Sequence, residues 1–139
     1  MKEFSFSVPQ EIIVGKGSLA RLPEVAEKLG GKHGFIISGP HLNKMGIVAS
    51  CSESLENAGI KVDAYTETEG NPSVETVEKA AAAFCKSGAN FIIALGGGSP
   101  MDVAKAVGVV ARYGGSITEY EGGGRVPGDI IPLIAIPTT

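Results

Sequence analysis

The chain has no tryptophan, and aromatic residues make up only 6% of its 139 residues. Platforms for stacking nucleic-acid bases are therefore scarce. A basic surplus is missing too. Twelve Lys and Arg stand against 15 Asp and Glu, for a net charge of −3. The basic residues are scattered singly, whereas a nucleic-acid binder concentrates them in a patch or stripe. Long hydrophobic runs are also lacking. Runs such as Phe91-Ile92-Ile93-Ala94-Leu95 and residues 130–137 are far short of a membrane-spanning helix. Met1-Lys2-Glu3-Phe4 shows no signal-peptide core. Cysteine is limited to Cys51 and Cys85, which suits two free thiols in a reducing compartment. Nucleic acid and membrane are set aside as partners, and a cytoplasmic location is expected. Cys85 follows Phe84 on a predicted helix face and reads as a small buried hydrophobe.

Glycine is abundant: 20 residues, beside 8 prolines and a 43% hydrophobic share. That share supports a packed core, so a disordered chain is excluded. The glycines have no collagen period. They mark places where the backbone bends hard or meets a ligand closely.

The apolar spacing switches repeatedly between two periods. Residues 4–8 alternate, and Glu11-Ile12-Ile13-Val14-Gly15 follows Pro9, which suggests two short strands with a hairpin-like start. Gly15-Lys16-Gly17-Ser18 reads as a turn. Leu19, Leu22, Val25, Ala26 and Leu29 form a helical stripe closed by Gly30-Gly31, with Pro23 as a possible break. Phe35-Ile36-Ile37 is apolar on both faces, as a buried parallel strand requires. The spacing predicts one helix over 41–58 and a strand over 61–66. It predicts a further helix over 74–84, capped by Ser73 and closed by Gly88. Residues 91–95 are a second double-sided strand. A helix follows from Pro100 to about Arg112, with Val103, Ala106, Val107 and Val110 inward. A long loop leads to a last buried strand at 131–139. Strands and helices alternate, which predicts an α/β fold: a doubly wound, mainly parallel sheet covered on both faces. A buried strand at the end of the chain suggests a fragment of a longer protein.

The strongest chemical signal is Leu95-Gly96-Gly97-Gly98-Ser99-Pro100-Met101-Asp102. Three glycines join a buried strand to a helix start, at the carboxyl end of the strand where doubly wound sheets bind ligands. The helix offers unpaired N–H groups and the positive end of its dipole. Ser99 is expected as N-cap, Pro100 as the first helical residue, and Asp102 as the partner of Ser99 in a capping box. A tight turn needs one glycine; three favour a phosphate site. The spacing is not the usual dinucleotide fingerprint, since Met101 takes the third glycine's place, and no Gly-Lys-Ser/Thr ending makes a P-loop. Ser38-Gly39-Pro40 either faces a ligand or simply turns the chain. Gly122-Gly123-Gly124 reads as loop. His33 and His41 lack metal-ligand spacing, and no Gly-x-Ser-x-Gly elbow is present. No catalytic residue and no metal ligand can be named.

Gly96-Gly97-Gly98-Ser99-x-x-Asp102-x-Ala104-Lys105, followed by Pro132-Leu133-Ile134-Ala135-Ile136-Pro137-Thr138-Thr139, resembles the iron-containing alcohol dehydrogenase family. Gly15-Lys16-Gly17-Ser18-Leu19 and Asn71-Pro72-Ser73 fit the same pattern. The resemblance implies a Rossmann-like, dehydroquinate synthase-like architecture. Residues 1–139 would be its NAD(P)-binding N-terminal domain, without the C-terminal helical domain. It implies a metal-dependent enzyme passing hydride between a small alcohol or aldehyde and nicotinamide. Fe²⁺ would polarise the substrate oxygen from ligands outside this chain, and the full-length enzyme would be a homo-oligomer, a dimer. The chain alone would be inactive. The alternatives are a glycerol- or sugar-phosphate dehydrogenase of the same superfamily, or a stand-alone nucleotide-binding module. By position, Gly97, Gly98 and Ser99 would contact the cofactor pyrophosphate. Asp102 would shape the site towards the nicotinamide, and Asn71 would line the cleft. Thr138 and Thr139 would begin a loop holding the nucleotide. Gly39 stands where many members carry an Asp that binds the adenosine ribose. Its lack of charge implies that NADP is accepted at least as well as NAD; the alternative is that Gly39 only turns the chain and another residue discriminates, with His41 or Lys44 as a positive partner.

Overall fold

The computed structural model describes residues 11–12, 18–68, 70–71, 73–120 and 128–138. The readings on residues 4–8, Gly15 to Gly17, Pro72, Gly122 to Gly124 and Thr139 lie outside the described residues.

Strand β1 (Glu11–Ile12) leads to helix α1 (Ser18–Lys28) and strand β2 (His33–Ile37). Helices α2 (Pro40–Lys44) and α3 (Ile47–Glu56) precede strand β3 (Lys61–Tyr65). Helix α4 (Val74–Ser87), strand β4 (Phe91–Gly96), helix α5 (Gly98–Tyr113) and strand β5 (Leu133–Pro137) complete the order, with a 3-10 turn at Ile117–Tyr120 before β5. The sheet runs β1-β5-β4-β2-β3, and every pairing is parallel. The expected doubly wound α/β architecture is the one observed.

The core has two halves because strand side chains alternate between faces. Phe35, Ile37, Ile92, Ala94 and Leu133 pack under α4 and α5. Ile36, Phe91, Ile93, Leu95, Ile134 and Ile136 pack under α1 and α3. Register keeps like with like: Phe35 pairs with Ile92, and Ile36 with Ile93. The Phe84 ring of α4 meets Phe35 edge-on, with centroids 5.5 Å apart. Strand β3 lies at the sheet edge and is mostly exposed, with charged Lys61 and Asp63 on it. Charges on such an edge discourage pairing with other chains.

Three expectations need correction. The helix expected over 41–58 is two helices, because Gly46 takes φ +82° between them. That left-handed geometry is accessible to glycine and ends the first helix. Pro23 does not break α1, which is continuous. Proline leaves the Leu19 carbonyl without its i+4 N–H donor. The Ser54 hydroxyl of α3 donates to that carbonyl instead, at 2.6 Å. Third, Cys85 is exposed. The buried stripe of α4 is Val77, Ala80, Ala81 and Phe84, and a residue directly after Phe84 is rotated about 100° off it. Cys51 is the buried thiol, and it lies in the half-core opposite α4. Both cysteines are free.

Two predictions follow from this packing. Ser54→Ala should lower stability by about 1 kcal/mol, because the Leu19 carbonyl loses its donor. In a Pro23→Ala background the loss should be clearly smaller, since an N–H then serves that carbonyl; urea unfolding of the four variants measures the difference. Burial pushes the Cys51 thiol from its ordinary 9.0 up to about 12. Mapping after iodoacetamide treatment near pH 8 should find Cys85 alkylated and Cys51 modified only after unfolding. An unfolded Cys51 ionises near 9.0 while the folded one keeps its proton to about 12. The stability contributed by this group is therefore complete below pH 9 and falls as pH rises from there towards 12.

Candidate functional site

Strands β2 and β4 are neighbours that send the chain in opposite directions. After β2 it enters α2 and α3 on one face of the sheet, and after β4 it enters α5 on the other. The crevice between their carboxyl ends is the switch point of the sheet, where such folds bind ligands. A cleft of about 1090 Å³ opens there. Gly96, Gly97, Ser99 and Pro100 line it from the β4–α5 turn, and Gly39 to Leu42 from the end of β2. Tyr65, Glu67, Thr68 and Gly70 follow β3 into it, Ser73, Glu75, Thr76 and Lys79 come from the start of α4, and Thr138 follows β5.

The glycine turn is built in two unlike parts. Gly96 has φ +132°, and a Cβ there would sit 3.1 Å from Pro100 Cγ and 3.3 Å from Leu42 Cδ1. This position requires glycine for its backbone and for its neighbours. Gly97 and Gly98 are different, since a Cβ on either would meet nothing within 4 Å. Both have room for a side chain and carry none. Their bareness leaves the helix start accessible to a ligand.

Helix α5 begins earlier than expected. Gly97 is the N-cap, so Ser99 and Pro100 are the second and third helical residues. The N-cap residue carries no side chain to cap the helix, and Ser99 does not occupy the N-cap position that the expected Ser99–Asp102 capping box requires. The sharp turn at Gly96 starts the helix at once and carries Ser99 past the capping position. Pro100 is tolerated because the first-turn N–H groups lack intrahelical partners anyway. The N–H groups of Gly98 and Ser99 thus lie at the positive end of a 16-residue helix. The residues present fit an anionic phosphate group: bare glycines, a glycine at the N-cap, and an open cleft.

Of the expected site residues, the structure brings Gly39, Gly97, Ser99 and Thr138 together as cleft lining. Thr138 N–H donates to the Gly96 carbonyl at 3.3 Å, tying the end of β5 to the turn. Gly98 is exposed on the first turn of α5, beside the lining. Asn71 is exposed next to the lining residue Gly70, and Asp102 is exposed one turn into α5. His41 lines the cleft, whereas Lys44 does not. Sequence reasoning missed Tyr65, Thr68, Thr76 and Lys79 as lining. Ser73, Thr76 and Lys79 recur every three residues, which places them on one helix face; that polar stripe was the available signal. Ser73 itself was expected as a cap, and its Oγ does accept from Thr76 N–H at 3.1 Å.

No helix among the described residues is long and apolar enough to cross a membrane. Among them, no group of three or more His, Cys, Asp and Glu could hold a metal ion.

Comparison with known proteins agrees with this architecture. The sequence model of the iron-containing alcohol dehydrogenases matches residues 9–139. A choline dehydrogenase from Bacillus subtilis is 37% identical over 143 residues, covering 100% of this chain and 36% of its own length. The solved structure of a 1,3-propanediol oxidoreductase superimposes with a TM-score of 0.88 at 30% identity, over 99% of this chain and 36% of that one. A sulfoacetaldehyde reductase from Bifidobacterium kashiwanohense, solved in complex with NAD+, superimposes with a TM-score of 0.82 at 30% identity, over 100% of this chain and 37% of that one. The chain thus spans about a third of the length of these relatives. With a family match over nearly all its residues, a shared fold and the glycine turn at the switch point, the chain belongs to the iron-containing alcohol dehydrogenase family.

Proposed function

We propose that residues 1–139 form the nucleotide-binding part of an NAD(P)-dependent alcohol dehydrogenase acting on a small alcohol or aldehyde. The observation that carries this reading is the bare Gly97-Gly98 start of α5, opening on the switch-point cleft. In the proposed site Gly97, Gly98 and Ser99 surround the pyrophosphate, and their N–H groups with the helix dipole balance its charge. Thr138, with Thr139 after it, borders the nucleotide on the β5 side. Asp102 and Asn71 flank the two ends of the cleft. The nicotinamide, when bound, supplies the hydride acceptor or donor, and the chain contributes binding and orientation. Names of the relatives, such as NAD-dependent methanol dehydrogenase from Bacillus methanolicus and the choline dehydrogenase, support an alcohol as substrate class. Iron is implied by the family. The described residues offer no group of three or more His, Cys, Asp and Glu that could hold it.

Gly39 bears on the choice of cofactor. It lines the cleft at the end of β2, where an acidic side chain would accept from both ribose hydroxyls and repel a 2′-phosphate. Without that charge, NADP is expected to serve at least as well as NAD.

The test uses calorimetric titration of the intact protein with NAD and NADP. Gly97→Val should fold normally, because its Cβ meets open space and its backbone is extended. It should lose more than about tenfold in affinity for both nucleotides, over ~1.4 kcal/mol. Gly96→Ala should instead destabilise the fold by about 1–3 kcal/mol, from its disallowed φ and the contact with Pro100. Unchanged binding in Gly97→Val would put the nucleotide elsewhere. Gly39→Asp should lower kcat/KM for NADP relative to NAD; a strong native preference for NAD, unmoved by this change, would show that position 39 does not select.

A further inference from the structure

Two threonines of the cleft are buried to the same degree. Thr68 and Thr76 are each 5% exposed. Thr76 is satisfied: its hydroxyl lies 2.9 Å from Ser73 Oγ. The Thr68 hydroxyl has no hydrogen-bond partner among the described residues. Burying an unpaired hydroxyl costs free energy, and such groups call for an explanation.

The position of Thr68 supplies one. Its N–H donates to the Ser38 carbonyl at 3.3 Å, so its backbone is pinned beside the end of β2. Its Oγ1 lies 3.3 Å from the point where a Cβ on Gly39 would sit. Both residues line the cleft. A side chain on Gly39 would therefore crowd this unused hydroxyl, and glycine there leaves it uncovered. Strands β4, β2 and β3 are consecutive in the sheet and about 4.8 Å apart. A dinucleotide with its pyrophosphate at the β4 turn reaches the ends of β2 and β3 with its adenosine ribose. The charged groups nearby are committed or solvated. Lys79 Nζ pairs with Glu75 at 3.1 Å, and Glu67 and His41 are exposed.

We propose that Thr68 is a specificity-determining residue for the cofactor: its hydroxyl, left uncovered beside Gly39, binds the 2′ substituent of the adenosine ribose. The proposal rests on the nucleotide reading above. A hydroxyl can both donate and accept. It accepts from a 2′-hydroxyl and donates to a 2′-phosphate, whereas a carboxylate only accepts. The donated bond to a charged oxygen is the stronger of the two. Thr68 thus gives the uncharged end of β2 at Gly39 a hydroxyl that favours the 2′-phosphate.

The probes are ADP and 2′,5′-ADP, titrated calorimetrically into the intact protein. Thr68→Val keeps the shape and removes the hydroxyl. It should weaken 2′,5′-ADP about tenfold and ADP no more than about threefold. Thr68→Ser should restore most of the loss. Gly39→Ala leaves the hydroxyl in place but crowds it with a methyl group, and should also weaken 2′,5′-ADP more than ADP. Equal losses for both probes in Thr68→Val, or no loss in either, would overturn the assignment of Thr68 while leaving the nucleotide site standing. Wild-type protein that binds neither probe would overturn the nucleotide site itself. If Thr68→Val does not fold, Gly39→Ala decides: a selective loss of 2′,5′-ADP upholds the proposal, and an unselective one overturns it.

Discussion

One buried serine holds the cleft together. Ser38 is fully buried, directly after β2. Its hydroxyl donates to the Leu95 carbonyl of β4 at 2.8 Å. Its N–H donates to the Tyr65 carbonyl of β3 at 3.0 Å, and its carbonyl accepts from Thr68 N–H. Three strand ends are thus fixed at the point where the chain divides to opposite faces of the sheet. The division itself would open a gap, since the helices after β2 and β4 lead away from each other. Ser38 closes the floor of that gap with bonds that extend the ladder beyond its last residues. A buried hydroxyl is tolerated only with such partners. Through Ser38 the positions of Gly39, Thr68 and the Gly96 turn become interdependent, and the cleft keeps a defined width.

The sheet was legible because its strands are apolar on both faces. Residues 35–37 and 91–95 could be placed inside without knowing their neighbours, and register later sorted each residue into one half-core or the other. The helical stripes were legible for the same reason, from Leu22 and Ala26 in α1 to Val103 and Val107 in α5. What failed was local and depended on contacts far along the chain. Pro23 sits inside α1 because Ser54, 31 residues later, supplies a hydrogen bond to the carbonyl that proline leaves open. Propensity alone carries no information about Ser54. Cys85 was misplaced by one position on a helix face, where the stripe is decided by which side chain fits the sheet, here Phe84 against Phe35.

The site shows the same division. The triple glycine was visible as a ligand turn from its place between a buried strand and a helix. The roles within it were not. Gly96 is demanded by backbone geometry, and Gly97 and Gly98 by nothing in the fold. That distinction needs φ angles and the positions of Pro100 and Leu42. The far end of the cleft was invisible as well, because Tyr65, Thr68 and Lys79 come from segments with no shared motif. They meet only because β3 lies beside β2 in the sheet.

Helices α4 and α5 start side by side in chain order but solve the same problem differently. Both open at the cleft, and both begin with N–H groups that lack intrahelical partners. Helix α4 satisfies one with Ser73, whose Oγ accepts from Thr76 N–H. Helix α5 has Gly97 at the same position, which carries no side chain to cap it. A Ser or Asp at position 97 would cap this helix and add about 1 kcal/mol of stability, and the space for such a side chain exists. Glycine there, and again at 98, loses more backbone entropy on folding than other residues. The fold thus carries a local cost at one helix start that it avoids at the other. Departures of this kind from local stability concentrate where a ligand completes the structure. An anion at the α5 start would accept from its first-turn N–H groups, and so the same bare glycines that weaken the empty helix strengthen the loaded one.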